Sequence, residues 1–117
     1  MGILNAEQFS LKSKLWLEFH GRPIIGEGRM AMLQAIQDHC SILHASRETG
    51  ISYRRMRGAI RDMETALGQK LVATRRGGSG GGSAELTPAG VVLLESFKAV
   101  SQGFRNDADA RLKRSFR

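Results

Sequence analysis

The chain has 117 residues, 41% of them apolar and 25% charged, and its 18 Lys and Arg against 11 Asp and Glu give a net charge of +7. That is room for one domain with a modest core, and the basic excess points to a polyanion, nucleic acid first and an anionic membrane surface second. The one cysteine, Cys40, excludes an intramolecular disulfide. No apolar run nears the roughly 18 residues that cross a bilayer and no secretory signal opens the chain, so a soluble, cytoplasmic protein is expected.

Residues 1–11 read as a flexible terminus ahead of a domain over residues 12–104. From Lys12 the sequence alternates, with Leu15, Leu17 and Phe19 on one side and Lys14, Trp16, Glu18 and His20 on the other, which predicts a strand. Gly21-Arg22-Pro23 ends it, and Pro23-Ile24-Ile25 can return as the second strand of a hairpin. Trp16, on the polar side, is either a partly covered surface tryptophan or a subunit contact.

Gly26-Glu27-Gly28 leads into a helix over residues 29–39 with Met32 or Leu33 and Ile36 inward. A break at His39-Cys40-Ser41 precedes a short second helix, Ile42–Thr49, with Ile42, Ala45 and Ser46 inward. Gly50-Ile51-Ser52 is a tight connection, in which glycine accepts a positive φ and the serine oxygen can cap free helix N–H groups. The next helix, Tyr53–Leu67, separates into two faces. Met56, Ala59, Ile60, Met63 and Leu67 form an apolar stripe. Arg54, Arg57 and Arg61, with Gly58 between them, cluster on the other side, and Arg55 flanks them. Gly68 stops the helix. A short helix, a tight turn and a longer basic helix are the order of a helix-turn-helix, although any two packed helices with a solvated basic face would show the same pattern.

Leu71-Val72-Ala73-Thr74 and Ala84-Glu85-Leu86-Thr87 read as strands around a tip, 75–83, that holds five glycines in the six residues 77–82. After a recognition helix such a hairpin is a wing, with Arg75 and Arg76 bringing charge to the phosphate backbone. Thr87-Pro88 is an N-cap followed by proline at the first helical position. The helix it opens, 88–104, carries Leu93, Phe97, Val100 and Phe104 on one stripe and reads as a dimerisation helix. Residues 105–117 read as a frayed basic tail.

The glycine-rich tip is not a nucleotide loop. It lacks Gly-x-x-x-x-Gly-Lys-Ser/Thr and the last glycine of a dinucleotide fingerprint, and it leads to a strand instead of a helix. His39, Cys40 and His44 match no structural zinc spacing, and a helix-end histidine beside a small thiol accounts for them. No nucleophile, base and orienting group assemble. Neither an enzyme, a cofactor, a metal nor a small-molecule site is expected.

Residues 28–94 resemble the N-terminal DNA-binding domain of the ModE molybdate-responsive regulators, relatives in fold of the LysR-type winged helix. The residues that carry the resemblance are Gly50-Ile51-Ser52-Tyr53, Ile60-Arg61-Asp62-Met63, Ala66-Leu67-Gly68, Leu71-Val72, the glycine tip Gly77-Gly78-Ser79-Gly80-Gly81-Gly82 and Leu86-Thr87-Pro88-Ala89-Gly90. The chain departs from the family at Leu43 and His44, where small residues are usual, and at Ser79, where the tip usually has lysine. The family's C-terminal oxyanion-binding modules have no counterpart here, so no molybdate site is carried over.

The resemblance implies a mainly α fold with small β elements (α+β), a winged helix-turn-helix with an N-terminal hairpin and a C-terminal dimerisation helix. It implies a bacterial DNA-binding transcription regulator that reads an inverted repeat of double-stranded DNA as a homodimer, in molybdate-related gene control. The expected DNA contacts are Ser52, Tyr53, Arg54, Arg55, Arg57, Arg61, Arg75, Arg76, Gly78, Ser79 and Gly80. The expected dimer contacts are Trp16, Leu93, Phe97, Val100 and Phe104. The competing readings are a winged-helix protein-interaction module and a non-specific nucleic-acid binder.

Overall fold

A left-handed pair of residues, His20 at φ 51° and Gly21 at φ 81°, turns the N-terminal hairpin. In the computed structural model, which describes residues 3–77 and 82–116, strand β1 (Trp16–Phe19) pairs antiparallel with β2 (Arg22–Gly26). The register shifts between Leu17 and Glu18, whose partners are Ile25 and Pro23, so Ile24 is the extra residue of a bulge. The bulge lets two consecutive isoleucines, Ile24 and Ile25, both enter the core. Leu15 and Leu17 pack against that core as the alternation predicts. Phe19 does not. It stands at the hairpin tip, 40% exposed, against the edge of the His20 ring.

Helix α1 (Glu27–His39) buries Met32, Leu33, Ala35 and Ile36 and ends on Cys40, whose φ of 54° makes it a left-handed cap without glycine's freedom. Ser41 then caps α2 (Ile42–Thr49) by accepting from the His44 N–H at 3.1 Å. Gly50 turns the chain, and Ser52 caps α3 (Tyr53–Leu67) by accepting from the Arg55 N–H at 3.1 Å. The turn is braced by the Ser46 hydroxyl, which donates to the Ile51 carbonyl at 2.5 Å. Met56, Ile60 and Met63 of α3 are buried, and Ala59 and Leu67 flank them.

Strands β3 (Val72–Arg75) and β4 (Ser83–Leu86) form the second two-stranded sheet, with Thr74 opposite Ala84 and Arg75 opposite Ser83. The Ala84 N–H donates to the Cys40 carbonyl at 2.9 Å, which ties this sheet to the α1–α2 corner. Thr87 caps α4 (Pro88–Ser115), with Pro88 at its first position. Its N–H donates to the Leu71 carbonyl at 2.9 Å and its hydroxyl to the Lys70 carbonyl at 2.6 Å. Gly90 then lies so close to Leu71 that an added Cβ would fall onto the Leu71 carbonyl oxygen. The Leu-Thr-Pro-Ala-Gly signature is thus a joint, fixing where α4 leaves the wing.

Three expectations are corrected. Helix α4 does not stop at 104 but runs to Ser115, about 42 Å of helix at 1.5 Å per residue. Arg105 pairs with Glu27 of α1, Arg111 with Asp107 one turn back at 2.9 Å, and Ala108 and Leu112 are half-buried, so the segment read as a frayed tail has helical reasons to persist. The N-terminal stretch 1–11 contains a 3-10 turn at Ala6–Gln8 that packs on α4, and Phe9 stacks on Phe116 with ring centroids 4.9 Å apart. Phe97 is 2% exposed and belongs to the chain's own core with Leu94, so it is not available to a dimer seam. Its stripe lies at the border of the core-facing side of α4, and Phe97 falls on the inner edge.

Candidate nucleic-acid interface

Burying Met56, Ile60 and Met63 turns the opposite face of α3 to solvent, and with it Tyr53, Arg54, Gly58 and Arg61, with Arg57 half-covered at the side. Two contiguous depressions run between this face and the β3–β4 hairpin. One, of about 650 Å³, is bounded by Tyr53, Arg57, Thr74, Arg75 and Arg76. The other, of about 460 Å³, is bounded by Arg57, Arg61, Lys70 and Thr74. Ile42, Arg57 and Thr74 border both. Arg57 is therefore the hinge of a continuous basic groove.

The arginines divide by whether a carboxylate holds them. Among the described residues, Arg54, Arg55, Arg57, Arg61, Arg75 and Arg76 make no ion pair, and neither does Arg47 of α2. Arg22, Arg29, Arg105 and Arg111 each have a carboxylate. Unpaired guanidiniums can turn toward an incoming phosphate or guanine edge without first breaking an internal ion pair, so only side-chain freedom is lost.

Sequence reading missed Glu64, which holds the groove together. Its carboxylate accepts from the Leu71 N–H at 2.8 Å and the Val72 N–H at 3.2 Å, joining the last turn of α3 to the start of β3. Its backbone carbonyl also accepts from Gly68, whose φ of 69° closes the helix. Nothing in the local pattern marks this glutamate, because its partners are backbone amides seven and eight residues on. Glu64→Ala leaves two N–H groups without their acceptor and is expected to cost about 1–3 kcal/mol. Glu64→Gln, which keeps a carbonyl acceptor, should lose less; chemical denaturation of the three chains measures the order.

The hairpin at the N-terminus is fixed to α3 by Asp62, which accepts from Arg22 at 2.5 Å and Arg29 at 2.8 Å, while Arg29 also donates to the Ile24 carbonyl at 2.9 Å. The Arg29 guanidinium, joined by Arg22, holds the Asp62 carboxyl below its ordinary value against a partial offset from burial. A lowered carboxylate pKa gives stability that is present at neutral pH. It is lost as the pH falls below the ordinary 3.8 and through the lowered value. Asp62→Asn is expected to cost under about 1 kcal/mol at pH 7, since the pair is over a third exposed. The gap in melting temperature between the two chains should close on acidification through that window.

Of the expected DNA contacts, the structure brings Tyr53, Arg57, Arg75 and Arg76 to one groove and Arg61 to its continuation, with Arg54 on the adjoining outer face. Arg55 points elsewhere. It lines a separate groove of about 680 Å³ with Lys14, Trp16, Pro23, Gly58 and Ala59, on the flank of α3 that faces the β1–β2 hairpin. Ser52 is spent on capping. Gly78, Ser79 and Gly80 lie outside the described residues. Trp16 is 50% exposed, and its indole N–H donates to Glu18 at 2.9 Å.

Residues 28–91 match the bacterial regulatory helix-turn-helix proteins of the lysR family, a span that contains α2, α3, both wing strands and the Thr87 joint. This chain belongs to that family. Its relatives include the molybdenum-pterin-binding protein MopA of Rhodobacter capsulatus, 37% identical over 87 residues, or 74% of this chain and 33% of that protein. The transcriptional regulator ModE of Yersinia pestis is also 37% identical over 87 residues, with the same coverage of each chain. These matches bear out the ModE-type resemblance, and this LysR-family chain spans about a third of the length of each. The crystal structure of ArgP from Mycobacterium tuberculosis superposes with a TM-score of 0.54 at 24% identity, covering 74% of this chain and 30% of that one. It shows the winged-helix fold. The family assignment places a bacterial regulatory helix-turn-helix over α2, α3 and both wing strands. Among the described residues no helix is long and apolar enough to cross a membrane.

Proposed function

We propose that this chain reads an inverted-repeat operator as a homodimer, and that it serves a ModE-type regulator in molybdate-related gene control. The observation that carries the reading is that Arg57, Arg61, Arg75 and Arg76 border one groove, with Arg54 on its outer face, and that none of the five has an ion pair among the described residues. Tyr53, Arg54, Arg57 and Arg61 face the major groove, where each bidentate contact to a guanine is worth about 1–3 kcal/mol of discrimination. Arg75 and Arg76 lie on the neighbouring phosphates.

The dimer reading rests on the outer side of α4, where Val92, Val100 and Phe104 are each more than half exposed and Leu93 is half-buried beside them. Exposed apolar side chains in a line along one helix call for a second helix. Two copies related by a two-fold axis would place their α3 helices on half-sites about one DNA turn, ~34 Å, apart. The link to molybdate is supported by the names of the relatives.

The apolar groove beside Trp16 favours a second reading, a protein-interaction module. Gel shifts separate the two. A preference for inverted-repeat fragments over random duplexes, with a two-to-one protein:duplex ratio, is expected; equal, purely salt-dependent retardation of every duplex would overturn sequence-specific regulation.

A further inference from the structure

Gly58 sits in the middle of the 15-residue helix α3, far from either cap, and it is exposed. Glycine is the poorest helix former after proline, so an interior glycine needs a reason. The chain's own packing gives none. A Cβ built at Gly58 meets nothing within 4 Å, although the residue borders the groove beneath the β1–β2 hairpin. Gly90 and Gly82 are different, because a Cβ at either collides with backbone, and Gly103 inside α4 has the same open space but Ala99, Val100, Asn106 and Asp107, not arginines, three and four residues away. Gly58 therefore bears a folding cost that nothing inside the monomer requires.

Its neighbours show what lies over it. Arg54 is four residues before and Arg61 three after, which places both beside Gly58 on the outward face. The helix thus carries a strip of bare backbone between two unpaired guanidiniums. A missing Cβ is the usual means of letting a backbone approach a ligand closely. We infer that Gly58 sets the depth at which α3 enters the major groove, and that it is a specificity-determining position of this chain. With the backbone seated against the base edges, Arg54 and Arg61 reach guanine O6 and N7; held out by one methyl group, they stop at phosphates. The inference rests on the DNA-binding reading above and adds which residue makes that reading sequence-specific.

The test compares the wild-type chain, Gly58→Ala and a control, Gly28→Ala, an exposed glycine near the start of α1 that also has open space around it. The probes are a duplex recovered by the wild-type chain from a random-sequence pool and a shuffled version of it. Gly58→Ala is expected to raise the melting temperature by about 2–8 °C, because alanine is the better helix former. It should weaken binding to the recovered duplex about tenfold or more while leaving the shuffled duplex within about threefold. Gly28→Ala should bind both as the wild type does. Unchanged affinity of Gly58→Ala for the recovered duplex would overturn the inference and leave the DNA-binding reading standing. So would a lowered melting temperature, an altered oligomeric state, or equal weakening on both duplexes. A wild-type chain that recovers no preferred sequence from the pool would overturn the DNA-binding reading itself.

Discussion

Replacing Arg54, Arg57 and Arg61 together with alanine is expected to reduce affinity for double-stranded DNA by at least about 100-fold, with the fold intact. Arg54 and Arg61 lie on the face opposite the buried Met56, Ile60 and Met63, Arg57 lies half-covered at its side, and none is tied to a carboxylate, so the buried core of α3 stays in place. Alanine also has the higher helix propensity. On the binding side, three contacts worth about 1–3 kcal/mol each go if they reach bases. If they reach phosphates, the slope of log affinity against log salt should flatten by about 0.9 per contact. Fluorescence anisotropy across a salt series reads both quantities, and circular dichroism reports the fold. A non-specific binder would lose the slope without losing discrimination, having none to lose.

Gly90→Ala is expected to destabilise the chain by about 3 kcal/mol or more. The new Cβ would strike the Leu71 carbonyl oxygen, which already accepts from the Thr87 N–H at 2.9 Å. Relief requires α4 to move away from the wing, and that breaks the Thr87 hydroxyl bond to Lys70 and loosens Leu94 and Phe97 in the core. Overpacking alone costs about 1–3 kcal/mol, and the strained joint adds to it. Urea denaturation measures the loss. If Gly90→Ala unfolds within a few tenths of a kcal/mol of the wild type, the joint is more pliable than its geometry implies.

The elements with local signals are legible in the sequence. Ser52 and Thr87 are caps, Gly50 and Gly68 close helices in the left-handed region, and Pro88 opens one, so the borders of α2, α3 and the start of α4 follow from short-range chemistry. The apolar stripe of α3 fixed which arginines face outward. What stayed hidden depends on contacts distant in sequence. Phe97 and Val100 sit on one stripe by spacing, yet only the packing of α1 against α4 decides that Phe97 goes inside and Val100 out. Arg55 differs from Arg54 by one step around the helix, and the position of the β1–β2 hairpin, pinned through Asp62, assigns it to another groove. Glu64 looked like any charged residue near a helix end, because its role is set by the amides of Leu71 and Val72. The persistence of α4 past Phe104 likewise depends on a partner 78 residues earlier, Glu27.

The basic groove between α3 and the wing is tested most directly by amide and arginine side-chain NMR shifts during titration with an inverted-repeat duplex. Shifts are expected at Tyr53, Arg54, Arg57, Gly58 and Arg61 and at Arg75 and Arg76, which border the groove or stand on its outer face. The Trp16 indole and Lys14, on the opposite flank, should stay still. Shifts centred on Trp16, Lys14 and Arg55, with the outward face of α3 unmoved, would contradict it.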